Sequence, residues 1–234
     1  MIRLMLVMLF CAVLTVSAQE EGSALLRGIR IYGTSPADLP VASLAGEKIT
    51  VELDLQSSEP PNLYLRFVHC TAHWEPTSNS FVTDRTRFPL PIEPAPSGVR
   101  HYRYQVRTRI PDERLFEGFS FSGNYRVELW EEEGRMPLAS RRFFVVENVV
   151  RPRIRVSNRQ LPSEGHPLNQ VHRIDVAFKV PDQDSVTSQA LYPQEVRRVD
   201  VYRNLEHATR RSVDIDDGDP WTFVEGFGTR NLVF

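Results

Sequence analysis

The chain has 234 residues, of which 41% are apolar and 25% charged, and its formal net charge at neutral pH is −2. This length is enough for one large domain or two small ones, each with its own core. The near-neutral charge gives no reason to expect a polyanion, so we predict no nucleic-acid partner. The 17 prolines exceed the 12 glycines, which favours β-structure joined by proline-marked turns.

The N-terminus has the layout of a secretory signal peptide. Met1 to Arg3 carries a positive charge, Leu4 to Val16 is apolar, and small residues precede a polar stretch after Ala18. We predict a signal peptide over residues 1–18 and no membrane span after its removal. An uncleaved anchor is disfavoured because the apolar run is short for a span. Lipoprotein cleavage before Cys11 is disfavoured by the bulky Phe10 and by the short leader that it would leave.

After cleavage at residue 18, the remaining cysteine is Cys70. A single cysteine cannot form an intramolecular disulfide bond. We therefore expect a fold that is stable in an oxidising compartment through its hydrophobic core alone.

Five segments between residues 25 and 147 alternate apolar and polar residues with a period of two, which is typical of half-buried antiparallel strands. These strands are predicted at Leu26 to Tyr32, Lys48 to Gln56, Arg100 to Ile110, Asn124 to Glu131 and Leu138 to Glu147. The residues expected to face inward are Ile49, Val51, Leu53 and Leu55, then Tyr102, Tyr104, Val106 and Ile110, then Tyr125, Val127 and Leu129. Glu133 to Arg135 is predicted to be a hairpin turn.

Asn62 to Trp74 carries apolar residues on both faces. Leu63, Leu65 and Phe67 share one face, and Tyr64, Val68, Cys70 and Ala72 share the other. This pattern predicts a central strand covered on both sides, although it does not decide which face meets the main core. The next stretch, Glu75 to Val99, is rich in Pro, Ser and Thr, and is predicted to be a surface loop with one short strand.

About six strands without a convincing long helix predict an all-β fold, an immunoglobulin-like β-sandwich over residues 19–148. A second β-domain is predicted over residues 149–234. Its strands are expected at Arg153 to Val156, His172 to Val180, Arg197 to Tyr202 and Ser212 to Ile215. The apolar end, Asn231 to Phe234, fits either a strand that is cut short or a docked terminal strand.

"FVHCTAHW" contains two histidines and a cysteine and invites a metal site. On a helix His69 and His73 would be neighbours, but on a strand they lie roughly 13 Å apart. Cys70 would then point to the opposite face, so the three side chains cannot bind one ion. We predict a packed strand with Trp74 as an apolar anchor near its end.

Two other sequence patterns also favour structural roles. "GFSFSGN" (Gly118 to Asn124) departs from the G-x-S-x-G nucleophile elbow at Ser122, so we predict a turn. "DIDDGD" (Asp214 to Asp219) fails the EF-hand template, because Val213 and Ile215 would stand at ligand positions. We predict a solvated turn there.

The arginines Arg103 and Arg107 are expected to pair with acids such as Glu52 or Glu128 across a sheet. With no catalytic frame, we predict no catalytic, cofactor-binding or metal-binding residues, no cofactor and no enzymatic activity.

Three stretches resemble, in the same order, the plug protein family of the type IX secretion system. They are "YLRFVHCTAHW" (Tyr64 to Trp74), "FSGNYRVELWEE" (Phe121 to Glu132) and "PLASRRFFVVE" (Pro137 to Glu147). "IRIYG" (Ile29 to Gly33) fits the first strand of the family. "HRIDVAFKV" and the closing "FVEGFGTRNLVF" fit more loosely.

The resemblance implies a periplasmic protein, associated with the outer membrane, whose immunoglobulin-like domain closes the mouth of an outer-membrane translocon barrel. That barrel would be the partner. We expect Glu75 to Val99 to contact the barrel rim, and removal of Thr77 to Pro96 to weaken binding without loss of folding. The alternative is an exported β-sandwich module that binds carbohydrate or peptide; it needs aromatics exposed on a groove, whereas Tyr102 and Tyr104 are patterned inward.

Overall fold

The computed structural model describes residues 25–78, 87–112, 118–160, 170–183, 190–203, 206–215 and 230–234. The predicted signal peptide at residues 1–18 lies outside these ranges. The described residues form strands and two single-turn 3-10 helices, Pro193–Glu195 and His207–Thr209. Within the same ranges, no helix has the length and apolar character needed to span a membrane. The all-β prediction is confirmed.

The first nine strands form two sheets that we call the N-terminal sandwich. They are β1 (Leu25–Tyr32), β2 (Val41–Ser43), β3 (Ile49–Gln56), β4 (Leu63–Cys70), β5 (Phe88–Pro89), β6 (Glu93–Pro94), β7 (Tyr104–Ile110), β8 (Gly123–Glu131) and β9 (Ala139–Val146). One sheet has the order β1-β3-β7-β6, and the other has the order β2-β9-β8-β4-β5. The strand β2, which the pattern did not predict, pairs in parallel with β9.

The connectivity is that of an immunoglobulin-like sandwich. The four-stranded sheet follows the A-B-E-D order of that fold, and β4, β8 and β9 form the C-F-G set of the other sheet. Near the start of β8, the Tyr125 hydroxyl donates a hydrogen bond to the carbonyl of Phe121 at 2.9 Å. A tyrosine at this place, bonded to the backbone a few residues upstream, is the tyrosine corner of such domains. The predicted fold class is therefore confirmed.

The core between the sheets is formed by the faces that alternation predicted. Ile49, Val51, Leu53 and Leu55 are each at most 1% exposed. Val106, Ile110 and the inward residues of β8 are also buried, whereas Tyr104 is partly buried against the same core. At its centre Phe67 packs on Phe88, Phe119 and Phe143, with ring centroids 5.1–5.9 Å apart. This aromatic cluster stabilises the sandwich without a disulfide bond.

The segment from Glu75 to Val99 is more than a surface loop. It contributes β5 to one sheet and β6 to the other, and Phe88 is 5% exposed within the core. Leu90 and Ile92 pack against the same core. The expectation that Thr77 to Pro96 can be deleted without loss of folding is therefore wrong, because the deletion would remove core side chains and both strands.

The strand β4 is shorter than predicted, because the chain turns after Cys70. The Thr71 hydroxyl accepts hydrogen bonds from the backbone amides of His73 and Glu75, at 3.2 and 3.4 Å. The amide of Trp74 donates to the carbonyl of Thr71 at 2.9 Å, and Trp74 has a positive φ of 67°. Thr and Ser side chains often form such local bonds and end regular structure.

The last five strands form what we call the C-terminal part. They are β10 (Arg153–Gln160), β11 (Gln170–Lys179), β12 (Arg198–Val201), β13 (Arg211–Asp214) and β14 (Asn231–Val233). One sheet has the order β10-β11-β14, and β12 pairs with β13. A small separate core contains Val176, Val180, Leu232 and Phe234. The terminal strand β14 is docked against β11, which is one of the two alternatives left open by the sequence.

We expect Phe88→Ala to lower the free energy of unfolding by about 3–5 kcal/mol, because it leaves a cavity beside Phe67. The control is Phe121→Ala, which removes a ring that is 45% exposed and should change stability by about 0.5 kcal/mol or less. Urea unfolding followed by tryptophan fluorescence measures both. Equal, small effects for the two variants would mean that the Glu75 to Val99 segment does not contribute to the core.

Candidate interaction surface

The sheet that contains β4 has a second face, directed away from the sandwich core, which we call the outer face. Along β4 it carries Tyr64, Arg66, Val68 and Cys70. Val68 and Cys70 are 6% and 3% exposed, so the prediction of a strand covered on both sides is confirmed. Leu63, Leu65 and Phe67 are the residues that meet the main core, which answers the question that the pattern left open.

The residues of the possible metal site point in different directions. His69 lies beside Tyr125 and bonds to the Thr77 hydroxyl at 2.8 Å, whereas His73 is exposed in the turn. Cys70 is buried, and burial raises the pKa of its thiol, which therefore stays protonated at neutral pH. Among the described residues, no three His, Cys, Asp or Glu side chains are grouped so as to hold a metal ion.

The "GFSFSGN" stretch is a turn into β8, as predicted. Gly123 has a φ of 142°, and a Cβ there would lie 2.6 Å from the imidazole Nε2 of His69. Glycine is thus required both by the backbone conformation and by the close approach of the ring. The Ser122 hydroxyl donates a hydrogen bond to the exposed Glu147 carboxylate at 2.6 Å, and it is the backbone carbonyl of Ser122, not its hydroxyl, that lies 3.3 Å from His69 Nε2.

The two acids predicted to pair with Arg103 and Arg107 differ in outcome. Arg107 forms the predicted ion pair with Glu52, at 3.1 Å, and Arg30 joins it from β1 at 2.7 Å. Glu128 instead pairs with Arg126 on its own strand, so the alternative that placed it with Arg103 or Arg107 is wrong. The aspartates of "DIDDGD" after Ile215 lie outside the described residues.

One end of the outer face is covered by the C-terminal part of the chain. Trp74 is 8% exposed and packs edge-on against Phe144 of β9 and against His207, with centroids 5.3 and 5.1 Å apart. The Tyr202 ring contacts the Phe144 ring from the same side, with their centroids 5.6 Å apart. The Arg142 guanidinium lies 4.9 Å from the centre of the Trp74 ring, within cation–π distance.

The turn before Trp74 also supplies a polar contact with the C-terminal part. The carbonyl of Ala72 accepts hydrogen bonds from Arg210 at 2.9 Å and from Arg198 at 3.3 Å. Arg198 is held by Asp200 at 3.0 Å. Because a turn ends β4 there, the Ala72 carbonyl does not pair within the sheet and is available to these two arginines.

The imidazole of His207 is partly enclosed by this aromatic cluster. Burial and, to a smaller extent, the nearby charge of Arg142 lower the pKa of His207 below its ordinary value of 6.5. The neutral ring is therefore the form that the docked arrangement favours.

At the opposite end, the outer face carries a row of rings and guanidinium groups, which we call the arginine–aromatic ladder. Tyr64 and Trp130 are cross-strand partners and stack with planes 11° apart and centroids 6.4 Å apart. Arg87 lies 4.8 Å from the centre of the Tyr64 ring, and Arg66 lies 5.4 Å from that of Trp130. The ladder thus runs from Arg87 through Tyr64 and Trp130 to Arg66.

An open cavity of about 320 Å³ adjoins the ladder. Its lining residues are Pro60, Pro61, Asn62, Leu63, Tyr64, Arg87, Pro89, Leu90, Ile92 and Glu132. The lining is mainly apolar, with Arg87 and Glu132 as its charged groups. Neither the ladder nor the cavity was predicted, because the residues come from three separate segments whose pairing is fixed by strand register. The sequence signal that pointed toward this surface was the presence of apolar residues on both faces of β4.

We expect wild-type stability to fall as the pH drops below about 6.5, partly because unfolded His207 takes up a proton that the folded state resists. His207→Phe keeps an aromatic ring and removes this proton. The advantage of the variant over wild type should therefore grow between pH 8 and pH 5, measured as the difference in free energy of unfolding by urea.

The matched control is His101→Phe, at an exposed position. This control should show no growing advantage at low pH. An identical pH dependence for wild type and His207→Phe would contradict the enclosed, neutral state of His207.

The fold has a counterpart among solved structures. A hypothetical protein from Parabacteroides merdae superposes with a TM-score of 0.67 at 17% sequence identity, covering 91% of this chain and 51% of that one. The chain therefore spans about half the length of that protein, and the likeness concerns the fold alone. No curated protein matches the chain.

The family model described as "Type 9 secretion system plug protein 1st domain" matches residues 26–147. This range contains the N-terminal sandwich, including the tyrosine corner, both faces of β4 and the ladder. The chain belongs to the family of type IX secretion system plug proteins.

Proposed function

We propose that the protein is a non-catalytic subunit that closes the periplasmic mouth of the outer-membrane translocon barrel of the type IX secretion system. The observation that carries this proposal is the family match over residues 26–147, which is more than half of the chain. The N-terminal sandwich adds physical support, because a cover for a wide pore has to be rigid and a closely packed two-sheet core deforms little.

The location follows from the same proposal. Residues 1–18 act as a cleaved signal peptide that directs the chain to the periplasm, where it associates with the outer membrane through its partner. Residues 19–148 form the first domain, and residues 149–234 belong to a second β-domain. Once residues 1–18 are removed, the remaining cysteine is Cys70, and its burial suits an oxidising compartment because the thiol is shielded there.

A carbohydrate-binding module is the less suitable alternative. Sugar rings bind by stacking on open aromatic faces, but the faces of Tyr64 and Trp130 are occupied by each other and by Arg87 and Arg66. Tyr104 packs against the core, in keeping with its inward pattern.

The test is purification of the tagged protein from detergent-solubilised outer membranes of cells that produce it. We expect a very large barrel protein to co-purify and its peptide masses to identify it as the translocon. Recovery of the tagged protein without this barrel, at detergent and salt conditions that keep other envelope complexes intact, would contradict the proposal.

A second measurement addresses closure of the pore. Cells that lack the protein should admit a polar dye too large for ordinary porins, and the wild-type gene should restore exclusion. Unchanged exclusion, in cells shown to contain the barrel, would mean that the protein binds the translocon without closing it.

A further inference from the structure

We propose that the arginine–aromatic ladder and its adjoining cavity are the surface that docks on the translocon, and that they receive an acidic segment of the barrel's periplasmic rim. This inference rests on the proposed function and adds to it the contact surface and the chemistry of the partner. It narrows the expectation that the Glu75 to Val99 segment contacts the barrel, because Arg87, Leu90 and Ile92 of that segment belong to this surface.

The charges of the ladder favour an acidic partner. Neither Arg66 nor Arg87 forms an ion pair with another described residue. Their guanidinium groups are instead positioned by the rings of Trp130 and Tyr64. Arg87 is exposed, whereas Arg66 is partly buried and its Nε atom is buried without a hydrogen-bond partner among the described residues. Arginine binds carboxylates in a two-pronged arrangement, and a positioned side chain loses little entropy when it does so.

The cavity supplies the apolar component of the contact. It is bounded by Leu63, Leu90 and Ile92, and Arg87 and Glu132 are the charged groups of its lining. The occupant that fits is an extended segment with one apolar side chain in the cavity and carboxylates beside Arg66 and Arg87. A carboxylate of the segment placed beside Glu132 would be repelled by its charge. The carboxylates are therefore expected at Arg66 and Arg87.

The other end of the same face shows how this sheet binds polypeptide. There Trp74 and Phe144 pack on rings of the C-terminal part, while Arg198 and Arg210 donate to a carbonyl oxygen. The ladder also combines aromatic rings with arginines, but its rings are stacked and its arginines belong to the sandwich itself. Among the described residues, no ring contact joins the ladder to the C-terminal part. Tyrosine, tryptophan and arginine are also the residues that dominate binding energy at protein interfaces.

The experiment compares two double variants in the co-purification with the identified translocon barrel. Arg66→Glu with Arg87→Glu reverses both charges of the ladder. Arg103→Glu with Arg109→Glu, which we call the β7 variant, makes the same charge change at two exposed positions of the other sheet, one directly before β7 and one on it. The single variant Arg87→Glu is included because Arg87 is exposed and is not part of the sandwich core, so the fold should tolerate its substitution. Urea unfolding midpoints confirm that each variant is folded.

We expect the ladder double variant to bind the barrel at least about tenfold more weakly, Arg87→Glu to be weakened in the same direction, and the β7 variant to bind as wild type. Binding of wild type should weaken as salt rises. Equal retention of all variants would overturn the ladder as the docking surface and leave the proposed function intact. Loss with the β7 variant alone would also overturn it.

A third outcome separates the two proposals. If wild type itself does not retain the barrel, the proposed function fails and the docking inference fails with it. If the double variant Ile154→Glu with Val156→Glu, on the exposed apolar side of β10, abolishes retention while the ladder variant does not, the contact lies in the C-terminal part. That result would also overturn the inference.

Discussion

Burial of β4 on both faces is the constraint on which the rest of the structure depends. Its inner side places Phe67 at the centre of the sandwich core, among three other aromatic rings. Its outer side places Val68 and Cys70 beneath Trp74 and Phe144. A strand that is apolar on one face alone could hold the two sheets together, but the second apolar face has to be covered as well. The C-terminal part of the chain covers one end of it.

The turn after Cys70 connects the N-terminal sandwich to the C-terminal part through a hydrogen-bonding carbonyl and a buried ring. By ending the strand, Thr71 releases the Ala72 carbonyl to arginines of the C-terminal part and directs the Trp74 ring against His207. The positive φ of Trp74 has an energetic cost for a residue with a bulky side chain. That cost is offset by the burial of the largest apolar side chain available, together with its contacts to Arg142 and Phe144.

Alternation of apolar and polar residues predicted most of the strands because their faces differ clearly in polarity. Val51 and Glu52, for example, are neighbours with opposite orientations in β3. The pattern missed β2 because three residues are too few to establish a period. It also gave no sign that Phe88 is buried, because a single buried side chain in an irregular segment has no periodic signal.

The ladder could not be predicted from local patterns at all. Tyr64 and Trp130 are 66 positions apart in the sequence and become partners through the register of β4 and β8, and Arg87 is added by β5. Strand pairing of this kind is a tertiary property. The family resemblance, in contrast, was available from the residues themselves, since the stretches that carry it include β4, β8 and β9.

The two faces of β4 thus have different roles in this account. The inner face packs into the rigid sandwich core, and the outer face contacts the C-terminal part at one end and, as proposed, the translocon barrel at the other. An electron cryomicroscopy reconstruction of the solubilised translocon with the protein bound would show directly which face of the sandwich contacts the barrel. We expect the outer face of the five-stranded sheet to point toward the barrel, with Tyr64 and Trp130 at its periplasmic rim. A reconstruction in which the four-stranded sheet or β10 meets the rim, with the ladder in solvent, would refute it.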